Sequence, residues 1–563
     1  MNPILNSIDF IARSPGGVAL MRKLVLELAV RGKLVPQDPK DEPASVLLER
    51  IKREKARLVK EGKIKAGKEL PEIKEEEKPY ELPRGWEWVR VRDITHDWGQ
   101  KTPDSDFTYI DVASIDNKTG KLSPKIEILS AKEAPSRARK IVKVGSVIYS
   151  TVRPYLLNTA IIENPISPEP IASTAFAILH PYSFVSSQYL HLFLRSQPFT
   201  DYVSEKMIGM AYPAINDSQF SNGVIALPPL PEQSRIVARV KELMAVLDRL
   251  EDQTNKTDEE RNRALTAATQ AVSQAATPEE IASSWLRLAT DFDRLVDRAE
   301  DVKAIRAMVL ELAVRGKLVS QDPRDEPASV LLERIKREKA RLVKEGKIKA
   351  GKELPEITEE ERPFKLPSGW KWERLGKIVK KLTDGTHHSP INKPTGAFLY
   401  ISAKNIKWTG LDLSEITYVT EEVHKEIYSR CDPEFGDILY IKDGATTGIS
   451  AINTIHKPFS MLSSVALLKP SCGVLKEYLH TVLQSPYFFR LMRQGMSGVA
   501  ITRITLEKLG MAPFPLAPLH EQSRILARVQ ELMAILDRLE EKLAAREKAA
   551  VLASESTIKM NQA

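Results

Sequence analysis

Cysteines and long apolar runs are both scarce in this sequence. Only two cysteines, Cys431 and Cys472, occur among 563 residues, so no disulfide framework is expected. No run of about 18 apolar residues occurs, which argues against a membrane-spanning helix. The first residues lack the basic start and long apolar stretch of a signal peptide. We therefore expect a cytoplasmic protein that makes no membrane contact.

Motifs for catalysis and cofactor binding are also missing. The sequence has no Gly-x-Gly-x-x-Gly, no His-Glu-x-x-His, no paired Cys-x-x-Cys and no Asn/Asp-Pro-Pro-Tyr/Phe stretch of an amino-methyltransferase. Only EGKIKAGKELPEI, at residues 61–73 and again at 345–357, approaches a phosphate-binding loop. In both copies glutamate follows the lysine, where a hydroxyl must bind magnesium. We interpret them as helix ends with connectors, and expect neither a cofactor nor a metal site in this chain.

What the sequence does contain is a tandem repeat. Residues 22–86 match residues 306–370, and the match is identical from residue 42 to residue 73. Residues 227–251 likewise match residues 516–540, with a few substitutions. The segments between these blocks differ greatly, and only short motifs are similar between them. The chain therefore reads as helix, globule, helix, helix, globule, helix.

Periodicity indicates long helices outside the globules. Apolar residues recur at spacings of four and three, which favours coiled-coil packing over a plain amphipathic helix. Helices are also predicted over 45–60 and 258–301. Each globule combines short β-rich runs with one helical segment, at 187–195 or 475–491. The apolar stripe contains Ile236, Val240, Leu243, Leu247 and Leu250, then Ile525, Val529, Leu532, Leu536, Leu539 and Leu543.

The predicted fold class is α+β. It consists of two mixed α/β globules separated by long antiparallel coiled-coil helices, in a tandem repeat with pseudo-twofold symmetry. The predicted domains are an N-terminal helical arm, a first globule, a central helical region that includes a second arm, a second globule and a C-terminal helix. Their bounds are 1–83, 84–229, 230–367, 368–518 and 519–563.

Positive charge is concentrated in the repeated block. The chain has 83 Lys and Arg against 75 Asp and Glu, a net charge of +8 and a pI near 9.0. Residues 50–68 hold nine Lys or Arg against two Glu, and residues 334–352 have the same count. Such basic segments indicate a polyanionic or acidic partner. Whether their lysines contact DNA phosphates or a partner subunit is left open by the sequence.

The candidate DNA-binding residues lie in polar and basic loops of the globules. Basic side chains suit phosphates, arginine can read guanine, asparagine can read adenine, and glycine-flanked loops allow close approach. The alternative for each is an ordinary surface loop. In the first globule the candidates are Arg137, Arg139, Lys140, Tyr149, Thr151, Arg153, Tyr155 and Tyr212. In the second they are His387, His388, Lys404, Asn405, Lys442, Asp443, Thr446, Thr447, Ser497, Thr502 and Arg503.

These features together resemble the specificity subunits of type I restriction–modification enzymes. The resemblance lies in LVLELAVRGKLVPQDPKDEPASVLLERI with its second copy, the two LP-x-G-W-x-W segments and the two EQSRI-x-AR helices. DGTHHSP, ISAKNI, GDILYIKDGATTG and VAITRITLEKLG resemble motifs of target recognition domains. The long N-terminal arm is similar to that of the subgroup called type IB. The resemblance covers almost the whole chain.

The resemblance implies a non-catalytic, DNA-binding subunit. Each globule would be a target recognition domain that reads one half of a bipartite, asymmetric DNA site, with the helices setting the separation. The chain would bind two adenine-methylating subunits and, through them, translocase–nuclease subunits. S-adenosylmethionine, ATP and magnesium would belong to those partners. The alternatives are a coiled-coil scaffold without specific DNA binding and a nucleotide-dependent DNA-processing enzyme.

Overall fold

The computed structural model describes residues 11, 14–65, 70–210, 212–351, 353–494 and 503–562, with side chains to residue 556. It contains two compact units. Unit 1 comprises residues 1–257 and 547–563, and unit 2 comprises residues 258–546. Four predicted features fall outside the described residues: the Gly-Lys pair of the first near-loop, the lysine of the second, Ser497 and Thr502.

The first half of the chain combines helices with short strands. Its helices are α1 (Gly17–Val30), α2 (Ala44–Lys60), α3 (Val91–Ile94), α4 (Ser187–Leu194), α5 (Gln197–Glu205), α6 (Asp217–Ser221) and α7 (Leu230–Gln274). Its strands are β1 (Glu87–Arg90), β2 (Thr95–His96), β3 (Phe107–Ile110), β4 (Ile115–Asp116), β5 (Lys121–Leu122), β6 (Glu127–Leu129), β7 (Ala138–Ile141), β8 (Val147–Ser150), β9 (Thr159–Ile161), β10 (Pro170–Ser173), β11 (Phe176–Pro181) and β12 (Val224–Leu227).

The second half has a comparable order of elements. Its helices are α8 (Pro278–Thr290), α9 (Phe292–Leu295), α10 (Val302–Val314), α11 (Ala328–Lys344), α12 (Leu375–Ile378), α13 (Glu421–Arg430), α14 (Lys476–Gln484), α15 (Pro486–Arg493), α16 (Leu506–Met511) and α17 (Leu519–Gln562). Its strands are β13 (Lys371–Arg374), β14 (Val379–Asp384), β15 (Phe398–Ile401), β16 (Ile406–Lys407), β17 (Gly410–Leu411), β18 (Thr417–Val419), β19 (Ile438–Ile441), β20 (Ser450–Ile452), β21 (Ser460–Met461), β22 (Val465–Pro470) and β23 (Pro513–Leu516).

The basic arm helix α2 forms where the sequence predicts it. It begins after Pro43, whose extended backbone precedes the first turn. It ends at Lys60, and Gly62 stops its continuation: this glycine has a φ of 68° and donates its N–H to the carbonyl of Val59. Gly346 ends α11 in the same way, with a φ of 69°. The first glycine of each near-phosphate loop therefore ends a helix, because glycine alone enters this left-handed conformation without steric cost.

The long helices α7 and α17 bury the predicted apolar stripe. Ile236 and Ile525 are fully buried at matching positions. The expectation of continuous helix over 258–301 is wrong beyond Gln274, because a new helix begins there. Thr277 accepts from the N–H of Glu280 and so caps α8. Similarly, the expected single helix over 475–491 is two helices, α14 and α15, that meet at Ser485.

The sheets of each globule are small and mostly antiparallel. In the first globule the strand orders are β6-β3-β10-β7 and β2-β11-β8-β9, and β3 with β10 is a parallel pair. In the second globule they are β14-β22-β19-β20 and β18-β15-β21. The mixed helix and strand content confirms an α+β fold class. Apolar residues of these sheets and of the helices beside them form the cores.

A two-stranded sheet joins the beginning and end of each globule. β1 pairs with β12 just before α7 begins, and β13 pairs with β23 just before α17 begins. Beside this sheet, Trp86 Nε1 donates to Glu232 Oε2 at 3.0 Å in unit 1. In unit 2, Trp370 Nε1 donates to Glu521 Oε2 at 2.9 Å. Burial raises the pKa of both carboxyl groups. The same contacts thus anchor the globule to the helix in both units.

Within the described residues, no helix is both long and apolar enough to cross a membrane.

Candidate nucleic-acid interface

One pair of loops occupies the same structural position in both globules. In the first globule, the N–H of Ile215 donates to the carbonyl of Thr151, directly after β8. In the second, the N–H of Ile504 donates to the carbonyl of Lys442, directly after β19. The residues next to these carbonyls form the bridges Val152 to Ala214 and Asp443 to Arg503. We define these as the tip loops: 151–157 with 207–215, and 442–448 with the described part of 495–504.

The tip loops of the first globule hold a strained backbone and a stacked cation. Arg153 has a φ of 48° and Leu157 a φ of 55°, a left-handed conformation that costs non-glycine residues about 1–3 kcal/mol. The N–H of Arg153 donates to the carbonyl of Pro213 at 2.8 Å. Its guanidinium carbon lies 5.1 Å from the ring centre of Tyr212. The backbone therefore directs Arg153 against Tyr212, which is 74% exposed.

The tip loops of the first globule also carry large apolar side chains. They are exposed, although burial of such side chains is favourable, so together they form a surface suited to a partner. Three of them, Leu156, Ile208 and Met210, were not predicted from the sequence, because isolated apolar residues in loops follow no periodicity. Asn117, in the turn between β4 and β5, adds a polar group by donating to the carbonyl of Leu156 at 3.1 Å. The exposed apolar residues are Tyr155, Leu156, Ile208, Met210 and Tyr212.

The tip loops of the second globule are charged instead of apolar. Lys442 is buried, and its Nζ lies 3.5 Å from a carboxylate oxygen of Asp384 and 3.5 Å from one of Asp443. Arg503 Nε donates to Asp443 Oδ1 at 3.1 Å. Arg430 Nη2 donates to Asp384 Oδ1 at 2.6 Å. Asp384 and Arg430 were not predicted from the sequence, because residues so far apart along the chain share no local pattern.

Aromatic and basic groups lie beside the glycine-flanked loop of the second globule. Arg493 Nη2 donates to the carbonyl of Ala445 at 2.7 Å, and its guanidinium carbon lies 4.6 Å from the ring centre of Phe489. Trp408 lies in the turn between β16 and β17 and is 52% exposed, and its ring centre is 6.0 Å from that of Phe489. Arginine suits contact with phosphates, and an exposed tryptophan beside it offers an apolar contact surface. The stretch Lys-Trp-Thr-Gly at residues 407–410, a tryptophan among turn-forming residues, is the sequence signal that could have identified Trp408.

Several predicted contact residues of the first globule are buried. Tyr149 is 1% exposed, and its hydroxyl donates to the carbonyl of Pro154. Thr151 is 7% exposed and donates to the carbonyl of Ala175. Lys140 is buried, and its Nζ lies 3.4 Å from Asp217. A direct DNA contact by Tyr149, Thr151 or Lys140 does not fit the structure, because their polar groups are used internally.

Predicted contact residues of the second globule are buried as well. Asn405 is buried, donates to the carbonyl of Asp412 and accepts from the N–H of Ser402, so it stabilises a turn. Thr447 is fully buried and donates to the carbonyl of Gly444. Lys442 is likewise internal. These side chains shape the loops, and direct base contact by them does not fit the structure.

The remaining candidates are accessible and stay predictions. Most are exposed, and Arg139 is half-buried on β7. His387 Nε2 lies 3.0 Å from Arg430 Nη2, so His387 shares the charged network of the second globule. Asp443 is only slightly exposed and serves to hold Arg503. The accessible candidates are Arg137, Arg139, Arg153, Tyr155, Tyr212, His387, His388, Lys404, Thr446 and Arg503.

The basic stretch before β8 also contributes a stacked cation. Lys143 Nζ lies 3.7 Å from the ring centre of Trp98. Burial lowers the pKa of His180, which lies 5.0 Å from the same tryptophan, to about 4, and the charges of His96 and Lys143 act in the same direction. His180 is therefore neutral at pH 7, and Lys143 is the positive charge of this cluster.

Among the residues that the structure describes, no cluster of histidine, cysteine and carboxylate side chains could hold a metal ion.

Comparison with known proteins establishes the family. No family model matches the chain. It is 36% identical to the specificity subunit of the type I restriction enzyme EcoAI of Escherichia coli, over 93% of this chain and 90% of that protein. It is 32% identical to the EcoEI specificity subunit of Escherichia coli, over 94% of this chain and 91% of that protein. The chain therefore belongs to the family of type I restriction enzyme specificity subunits.

A solved structure supports the fold. It comes from work on complex assembly and conformational transition of a type I restriction–modification system. It matches with a TM-score of 0.50 at 22% identity, over 86% of this chain and 99% of that one. At this identity the match supports the shared fold alone.

Proposed function

We propose that this chain is the sequence-specific DNA-binding subunit of a type I restriction–modification complex. The first globule, 84–229, and the second, 368–518, are its target recognition domains, and each reads one half of a bipartite, asymmetric site. The chain has no catalytic role of its own. Family membership and the basic, aromatic tip loops support this proposal.

The observation that carries the proposal is the contrast between the two pairs of tip loops. They follow the equivalent strands β8 and β19 and are held by equivalent backbone hydrogen bonds. One pair presents Arg153, Tyr212 and apolar side chains, whereas the other presents Arg503, which is held by Asp443. A shared framework with different surface chemistry suits two half-sites of different sequence.

The repeated blocks supply the second part of the proposal, which is a scaffold for two copies of one partner. The anchoring contacts of Trp86 and Trp370 are alike, and so are the ion pairs of Arg235 with Asp41 and of Arg524 with Asp325. Two like surfaces suit two identical methyltransferase subunits in a pseudo-twofold arrangement. Translocase–nuclease subunits would bind through these. S-adenosylmethionine, ATP and magnesium would be bound by the partners.

The long helices would set the distance between the two half-sites. α7 has 45 residues, which gives a length of about 68 Å. In this proposal α7 and α17 pack antiparallel as a coiled coil. One turn of DNA is roughly 34–36 Å, so the helix is long enough to separate half-sites by one or two turns.

Exchange of one globule tests the proposal. The first globule would be replaced by that of a relative with a different target, and the chimera would be assembled with its methyltransferase partner. Sequencing of methylated DNA should show one half-site changed and the other retained. If both halves change, or if neither does, the modular reading is wrong. Equal binding of cognate and random DNA by the assembled complex would instead favour a scaffold without specific DNA binding.

A further inference from the structure

Arg430, the last residue of α13, lies in a charged network on the second globule. Its Nη2 donates to Asp384 Oδ1 at 2.6 Å and lies 3.0 Å from His387 Nε2. The Arg430 side chain is 52% exposed, whereas that of Asp384 is 3% exposed. A buried carboxylate thus fixes one edge of an outward-facing guanidinium group.

Lys442 links this arginine to a second one. Its ammonium group, 5% exposed, lies 3.5 Å from Asp384 and 3.5 Å from Asp443. Asp443 accepts from Arg503 Nε at 3.1 Å, and the Arg503 side chain is 63% exposed. Two exposed guanidinium groups, those of Arg430 and Arg503, are therefore each held by a largely buried aspartate. One buried ammonium group joins the two aspartates.

The charge of this network suits an approach to DNA. Three cationic side chains, Arg430, Lys442 and Arg503, face two carboxylates, so these five groups carry a net positive charge. The carboxylates point inward and the guanidinium groups point outward, as their exposures show. A polyanion would meet arginine first, while the aspartates hold the arginine planes in place.

We propose that Arg430 is a specificity-determining residue that reads a guanine in the half-site bound by the second globule, with Asp384 as its positioning residue. This inference rests on the proposed DNA-reading function. Guanine presents O6 and N7 side by side in the major groove, and a guanidinium group donates to both. For Arg430 the donors would be Nη1 and the Nη2 hydrogen that faces His387 in this structure, so the base would replace the His387 contact while the bond to Asp384 stays. A fixed guanidinium plane favours such a contact, because a side chain that is already ordered loses less conformational entropy on binding. A phosphate contact needs only a mobile charge, whereas the guanidinium group of Arg430 is held by Asp384.

The test uses the full chain assembled with its methyltransferase partner. Relative methylation rates would be measured on a duplex library in which each position of the wild-type site is varied. Arg430→Ala and Arg430→Lys should each reduce the preference for G·C at one base pair of one half-site, by about ten- to a hundred-fold. Preferences at the other positions should be unchanged. Lys425→Ala, which removes an exposed cation from the same helix, is the matched control and should alter no preference.

Asp384→Asn tests the positioning role. It should weaken the preference at the same base pair by less than Arg430→Ala does, and it should add nothing to Arg430→Ala in the double variant. Unchanged preferences in both Arg430 variants overturn the inference. The inference is also overturned if the Arg430 variants bind all sequences equally more weakly and the salt dependence of their binding corresponds to about one phosphate contact fewer. That result would identify Arg430 as a phosphate contact. A wild-type complex without any sequence preference overturns the proposed function itself.

Discussion

Arg374 offers a quantitative test of how the second globule is attached to the arm before it. Its guanidinium group, 3% exposed, donates to the carbonyls of Pro355, Glu356 and Met511 at 3.0, 3.0 and 2.8 Å. It also forms two bonds to Glu361, each at 2.8 Å. One arginine therefore joins the connector, β13 and the segment before β23.

Arg374→Met should destabilise unit 2 by roughly 3 kcal/mol. Three carbonyls lose a charged donor, at about 1 kcal/mol each. The carboxylate of Glu361 is 39% exposed, so the ion pair itself adds less than about 1 kcal/mol. Since about 1 kcal/mol shifts the Tm of a unit of this size by roughly 2–4 °C, scanning calorimetry should show a transition lowered by about 6–12 °C.

Glu361→Gln separates the two contributions, since it weakens the ion pair and leaves the three carbonyl contacts. It should lower the same transition by less than about 3 °C. Arg90→Met is the matched variant in unit 1, where Arg90 makes the same set of contacts with Glu77 and three carbonyls. Arg90→Met should therefore destabilise unit 1 by a similar amount, independently of Arg374→Met. If Arg374→Met and Glu361→Gln lower the transition equally, the reasoning from the carbonyl contacts is refuted.

Further predictions concern pH, DNA binding and assembly. The hydrogen-bonded arginine lowers the pKa of Glu361 to about 2 from 4.5, so the small stabilisation by this pair should be complete above pH 4.5 and lost as the pH falls toward 2, as measured by urea unfolding at each pH. Tyr212→Ala should weaken binding of the half-site read by the first globule about two- to thirty-fold, because it removes the ring against which Arg153 lies; an unchanged affinity in titrations of labelled DNA would contradict a role of this stacked pair. Charge reversal at Lys63, Lys65 and Lys68 should weaken assembly with the methyltransferase partner more than it changes the salt dependence of DNA binding; the opposite result would assign these lysines to phosphates.

The organisation of the chain could be predicted from the sequence because its signals are local or repeated. The repeat delimits the framework, and Pro43 and Gly62 delimit α2. The stripe through Ile236 follows from helical periodicity. The breaks in the predicted helices were harder to predict. Thr277 and Ser485 each cap the start of a new helix, and this capping competes with continuation of the helix before it.

The candidate interface was only partly predictable. Polar, glycine-flanked loops located the region, yet composition does not tell an inward side chain from an outward one. Tyr149 and Asn405 suit DNA chemically and are buried, whereas Met210 is apolar and fully exposed.

The sequence by itself determined that this chain holds two copies of related segments around two segments of different sequence, and its motifs indicated the family. Only the tertiary structure decided which groups meet. Asp384 and Arg430 are separated by 46 positions along the chain, and the sheet and helix between them bring them to 2.6 Å. The reason is physical: periodicity and capping act within a few residues, whereas burial and ion pairing depend on the packing of distant segments.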